Sequence, residues 1–276
     1  MNLQALIKNS VANGALLLFS TTCGLAGVHD IVAPPPASGD CDGCTNPGPY
    51  VQGTLLHMKS YSSESSYEGD WDAGFRGAVG TESASGLRFQ ISGFHWQGDY
   101  RAPNNFINDA SKEFFYLDAT IGDTIHCGEL CVSVSAGLRW GGKNEQRSQG
   151  SPTLFITPSP KGIGGNNRQG SESEFSGIGP VISIEATRRM SDRLSLYASL
   201  RQSFLFGEEE SVALGIAAEQ DTFVSITEIG AGVQLAIPFL GLDSFVRAGI
   251  EGQWWAGDGD SDDGLIGGSF GAGASF

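Results

Sequence analysis

Leu265-Ile-Gly-Gly-Ser-Phe-Gly-Ala-Gly-Ala-Ser-Phe276 closes the chain, and its alternation decides the fold class. Ile266, Phe270, Ala272, Ala274 and Phe276 fall on one face of an extended strand, and Ser269, Gly271, Gly273 and Ser275 on the other, because successive side chains of a strand point to opposite sides. One apolar face and one small, polar face is the pattern of a barrel strand with lipid outside and a lumen inside. Taken alone, the stretch also suits the closing edge strand of a soluble sandwich.

Upstream, the same alternation recurs in strand-like runs. They cover 50–61, 71–79, 87–96, 114–121, 132–140, 175–187, 194–206, 223–239 and 245–255, which with the closing run gives about ten strands. An even number puts both ends on one side of a membrane, as an antiparallel up-and-down transmembrane barrel requires. The connections after odd-numbered runs are long, above all 141–174, and those after even-numbered runs are mostly short. Long loops facing out and tight turns facing the periplasm are the asymmetry of outer-membrane barrels, whereas a structureless gap of that length counts against a compact soluble fold. The expected organisation is a signal peptide over 1–26, a Pro/Gly-rich periplasmic segment over 27–48 and an all-β barrel over 49–276.

Aromatic residues gather at the ends of the runs. Trp71, Trp96, Trp140, Trp254 and Trp255 lie at the expected outer ends with Tyr100, Phe114, Phe115, Phe175, Phe204, Phe206 and Phe223, while Tyr50, Phe239, Phe245 and Phe276 lie at the opposite ends. The spacing predicts two aromatic girdles, since amphipathic rings favour the headgroup zone. Parity predicts the inward face. In the fifth run Val132, Val134, Ala136 and Leu138 meet lipid while Ser133, Ser135, Gly137 and Arg139 face the lumen. Extended to every run, the rule assigns Arg76, Arg88, Asp118, Arg139, Glu185, Arg201, Glu228, Arg247 and Glu251 to the lumen lining. Charges of both signs are tolerable there because they pair with each other or with water.

Composition narrows the function. With 276 residues, 40% hydrophobic content and 40 glycines, no segment stays apolar for the length of a helical span. The net charge of −15 and the lack of a basic stripe argue against nucleic acid as a partner. Lys8, the apolar Ala15-Leu-Leu-Leu-Phe19 and the small residues Gly24 and Ala26 read as a secretory signal. In an exported chain the local pairs Cys41 with Cys44 and Cys127 with Cys131 are disulfide candidates, and zinc is the lesser reading. Asp258, Asp260 and Asp262 form a weak calcium candidate, because Asp263 stands where the sharp turn wants glycine and no suitably placed glutamate follows. His95 with nearby Asp99 is the closest approach to a rim-site protease or acyl transferase, but one histidine beside one carboxylate lacks a nucleophile. A non-enzyme with no cofactor is therefore expected.

Phe115-Tyr-Leu-Asp-Ala119, Leu130-Cys-Val-Ser-Val-Ser-Ala-Gly-Leu-Arg-Trp140, Phe175-Ser-Gly-Ile-Gly-Pro180, Leu194-Ser-Leu-Tyr-Ala198, Ser203-Phe-Leu-Phe-Gly207 and Arg247-Ala-Gly-Ile-Glu-Gly-Gln-Trp-Trp255 together resemble the pore-forming outer-membrane proteins typified by the Legionella major outer membrane protein. The resemblance implies a porin-like protein of the bacterial outer membrane. Its partners would be outer-membrane lipid and small solutes or ions. A terminal aromatic such as Phe276 resembles the signal read by the outer-membrane assembly machinery, a further expected partner. The leading expectation is passive transport through a narrow or gated lumen, since a barrel of about ten strands is filled by its own side chains. A structural or adhesive surface barrel without an open pore is the competing expectation.

Overall fold

The computed structural model describes residues 47–62, 68–101, 107–127, 129–149, 169–213, 216–237, 242–257 and 262–276. The described strands are β1 (Gly48–Ser62), β2 (Glu68–Glu82), β3 (Arg88–Arg101), β4 (Ile107–Cys127), β5 (Leu130–Gln149), β6 (Gln169–Arg189), β7 (Leu194–Ala213), β8 (Ile216–Ala236), β9 (Asp243–Gly257) and β10 (Asp263–Ser275). Each pairs antiparallel with its sequence neighbours, and β1 pairs with β10 from Tyr50 opposite Ser275 to Ser62 opposite Asp263, closing the barrel. Closure leaves no sheet edge in the lipid zone, where an unpaired backbone group costs several kcal/mol.

The two faces follow the parity of the sequence. Leu55, Phe75, Val79, Phe89, Ile91, Leu117, Ile121, Leu138, Ile182, Val233, Ile250, Ile266 and Phe270 are exposed on the outside, and the residues of opposite parity face inward, buried or half-buried. This exposed apolar belt is a lipid-facing surface, so the protein crosses its membrane with strands. At the end where β1 starts and β10 finishes, the barrel's own termini, residues 83–87 join β2 to β3 in a tight turn. Ser83 N–H donates to Leu87 O at 2.8 Å and Gly86 N–H to Ser83 O at 3.0 Å. Gly86 has φ 90°, a conformation a side chain would oppose.

Two features depart from the alternation-based expectation. First, the strands outrun the apolar runs at the end away from the termini. There β4 begins at Ile107 rather than 114, β5 continues to Gln149 rather than 140, β6 begins at Gln169, β7 reaches Ala213, and β8 begins at Ile216. Much of the expected 141–174 loop is thus paired strand, and Glu208, Glu209 and Glu210 belong to β7. Outward polar residues such as Gln146 opposite Glu172 pair as well as apolar ones once water replaces lipid outside. Second, the outer girdle is divided between two faces. Trp71, Trp140, Phe204 and Phe206 are exposed on the barrel exterior, whereas Trp96, Trp255, Phe114, Phe175 and Tyr100 are buried within it. Trp96 shares its parity with Arg88, and Trp255 with Glu251, so their rings must point inward. At the other end Tyr50 also turns inward, to Arg88 and Gln90, and Phe239 lies outside the described residues.

Candidate functional site: the filled lumen

All nine lumen candidates point into the barrel, and the structure divides them into two groups. Arg76, Asp118, Arg139, Arg201, Glu228 and Glu251 meet in one transverse tier. Arg139 donates from Nε to Asp118 Oδ1 at 2.7 Å and from Nη2 to Asp118 Oδ2 at 2.9 Å, and its Nη2 lies 2.7 Å from Glu228 Oε1. Arg76 donates to Glu251 at 2.7 Å and to Glu228 at 3.2 Å, while Arg201 reaches Asp118 at 3.2 Å. Tyr116 is the hinge of the tier, donating its hydroxyl to Glu228 at 2.7 Å and accepting from Arg76 at 3.1 Å. The Arg139 guanidinium stacks 3.6 Å above the Tyr116 ring centre. Bidentate pairing of a planar guanidinium with a carboxylate fixes orientation as well as charge. These pairs join β2, β4, β5, β7, β8 and β9, so the tier braces walls that are not neighbours.

Arg88, Glu185 and Arg247 form a looser group nearer the termini. Arg88 donates to Tyr50 at 2.5 Å and Gln90 at 2.9 Å, and Arg247 donates to Glu185 at 3.4 Å and Gln234 at 2.8 Å. A polar cavity of about 50 Å³ lies here, lined in part by Arg88, Gln90, Thr120, Glu185 and Arg201.

Above the charged tier, away from the termini, is an apolar tier that parity could have revealed but the girdle reading concealed. Trp96, Phe114, Trp255, Met58, Phe175, Leu205, Ile226 and Leu265 are all buried there. Phe114 on β4 and Trp255 on β9 touch across the lumen, with ring centres 5.1 Å apart, and Trp96 stands 5.8 Å from Phe114. Arg139, Gln253 and Trp96 are 0% exposed, whereas the Arg76 and Arg201 side chains of the charged tier keep 19% and 21% of their surface accessible.

A polar lid completes the stack where the strands rise above the belt. Lys112 Nζ lies 2.6 Å from Asp263 Oδ1, and Lys143 Nζ lies 3.3 Å from Asp263 Oδ2. Tyr100 and Arg147 both donate to Glu145. Burial pushes the Tyr100 phenol above its usual range, and the Glu145 carboxylate adds to the rise.

The other candidate sites are less developed. His95 sits on the exterior, 2.8 Å from Glu113, and the Asp99 backbone N–H donates to Asp72 at 3.1 Å; the structure does not bring His95 and Asp99 together as a pair. Asp258 and Asp260 lie outside the described residues, and Asp263 is held by its two lysines. Among the described residues no group of three or more His, Cys, Asp or Glu side chains is placed to hold a metal. Cys41 and Cys44 also lie outside the described residues. Cys127 and Cys131 bracket the β4–β5 turn, in register with Leu130 and His126.

No family model matches the chain. No curated protein matches it in sequence. Among solved structures it is similar to the outer membrane protease OmpT from Escherichia coli, with TM-score 0.55 and 8% identity over 83% of this chain and 97% of that one. It also aligns with the translocator domain of the autotransporter NalP from Neisseria meningitidis, with TM-score 0.43 and 12% identity over 85% of this chain and 91% of that one. Neisserial surface protein A aligns with TM-score 0.37 and 13% identity over 83% and 97%. Only the first score speaks for shared architecture, and at that identity it speaks for the fold alone: an outer-membrane β-barrel.

Proposed function

We propose that this protein is a surface barrel of a bacterial outer membrane that acts through the wall it raises above the lipid, with its lumen closed rather than conducting. The observation that carries this reading is contact across the lumen. Side chains from non-adjacent strands meet in the charged tier, as Arg139 meets Glu228, and in the apolar tier, as Phe114 meets Trp255. A permeating ion would have to break a buried ion-pair network and then pass an apolar constriction, each step costing several kcal/mol. The resemblance to pore-forming proteins supports the outer-membrane setting, and the filled lumen favours the structural or adhesive role over passive transport. The end with the termini is then periplasmic and the raised wall extracellular.

Planar-bilayer recording of the refolded protein tests this. The expected result is a silent membrane at all voltages that the bilayer tolerates. Reproducible single-channel steps would instead support the transport reading and overturn this one.

A further inference from the structure

Above the lipid belt the described strands no longer close into a barrel. The last described pair between β8 and β9 is Val224 with Gly257, and the last between β3 and β4 is Tyr100 with Ala110. Beyond these points β4 to β8 continue as a wall. Its β8 border, residues 216–223, pairs with β7 from Phe206 opposite Phe223 to Ala213 opposite Ile216, and among the described residues no strand pairs with its other side. Residues 216–221 are exposed throughout, with Ile216 at 72%. A strand of this length whose outer N–H and C=O groups meet no described strand is a template for another extended chain.

The charges on the wall specify that chain. On its outer face Glu219 stands opposite Glu210, and Asp221 opposite Glu208. Glu174 continues the first row, opposite Glu210. None of these five carboxylates has an ion-pair partner among the described residues. Like charges directly opposite each other on one sheet face repel, so the rows cost stability until positive charge is placed beside them. On the other face the edge offers the small or neutral Ala218, Gln220 and Thr222.

We propose that the β8 edge is a strand-addition site for an extended basic segment of another protein, with Lys or Arg at every second position facing Glu219 and Asp221 and uncharged residues between. This rests on the surface-barrel reading, of which it names the partner class. A second copy in the same membrane does not fit. Barrel strands tilt by about 35–45°, so a two-fold axis along the membrane normal would cross the two edges steeply instead of aligning them. Copies meeting antiparallel from opposed surfaces would set Glu219 and Asp221 against their own equivalents.

The test measures fluorescence-anisotropy binding of the refolded full chain to a labelled peptide Lys-Thr-Lys-Val-Lys-Thr. Two control peptides are used: the same sequence N-methylated at alternate backbone nitrogens, and its glutamate counterpart. The basic peptide should bind. N-methylation should weaken it about tenfold or more through lost edge hydrogen bonds, and the glutamate peptide should not bind. The double variant Glu219→Gln/Asp221→Asn, still showing the heat-modifiable gel shift of a folded barrel, should weaken the basic peptide similarly. Hydrogen exchange should slow at residues 216–223 with the peptide bound. Equal binding of methylated and unmethylated peptides would reduce the effect to diffuse charge attraction and overturn the strand-addition site, as would no binding at all. Both failures are independent of whether the lumen conducts.

Discussion

Arg139 lies in the interior of a membrane-spanning protein, 0% exposed, and is held by Asp118, Glu228, Ser203 and the face of Tyr116. Removing one member of such a set leaves the others charged and uncompensated. Arg139→Ala should therefore lower the stability of the refolded barrel by about 3–5 kcal/mol, seen as a fall in the denaturant midpoint. Trp96→Ala, which empties a fully buried site in the apolar tier, should cost about 3–5 kcal/mol through a cavity instead. Chevron or equilibrium midpoints unchanged by both variants would mean the tiers do not brace the wall. At this scale the sequence was readable for direction and silent on partners. Parity placed Arg139 and Glu228 on the inner face, but which inner residues meet depends on strand tilt and register, which alternation does not encode. Trp96 and Trp255 were misread because position along the barrel axis was given more weight than parity.

Individual strands are legible where lipid imposes an apolar face and become illegible where that demand stops. The β7–β8 hairpin shows the boundary: Phe206 opposite Phe223 is the last apolar pair on its outer face, and Glu208 opposite Asp221 is the first acidic one. Since the belt ends there, replacing residues 209–220 by a two-residue turn should preserve insertion and the heat-modifiable gel shift. Loss of the folded band would show that the raised wall is needed for the barrel itself. At the opposite end, Phe276 N–H donates to Pro49 O at 2.9 Å and joins β10 to the start of β1. Deleting Phe276 should reduce the amount of barrel recovered in outer membranes of expressing cells, and undiminished recovery would remove its role in assembly.

The molecule combines a lumen crossed by side-chain contacts with a wall whose β8 border pairs with no further described strand. Ten strands, charges of mixed sign and a narrow, side-chain-filled lumen were visible from alternation and strand number, but the contacts that fill it were not, because they arise where Phe114 and Trp255 approach from opposite walls. A pore and a plug of equal strand number differ only in how far the inward side chains reach. The most direct test of closure is the solvent accessibility of the apolar tier. Leu205 is fully buried within it, so the folded Leu205→Cys variant, treated with a small charged methanethiosulfonate from both sides and counted by intact mass against the unsubstituted chain, should gain no additional adduct until it is unfolded. Rapid labelling of Cys at that position in the folded, membrane-inserted protein would mean that water and ions reach the centre of the lumen, and would contradict the closed barrel.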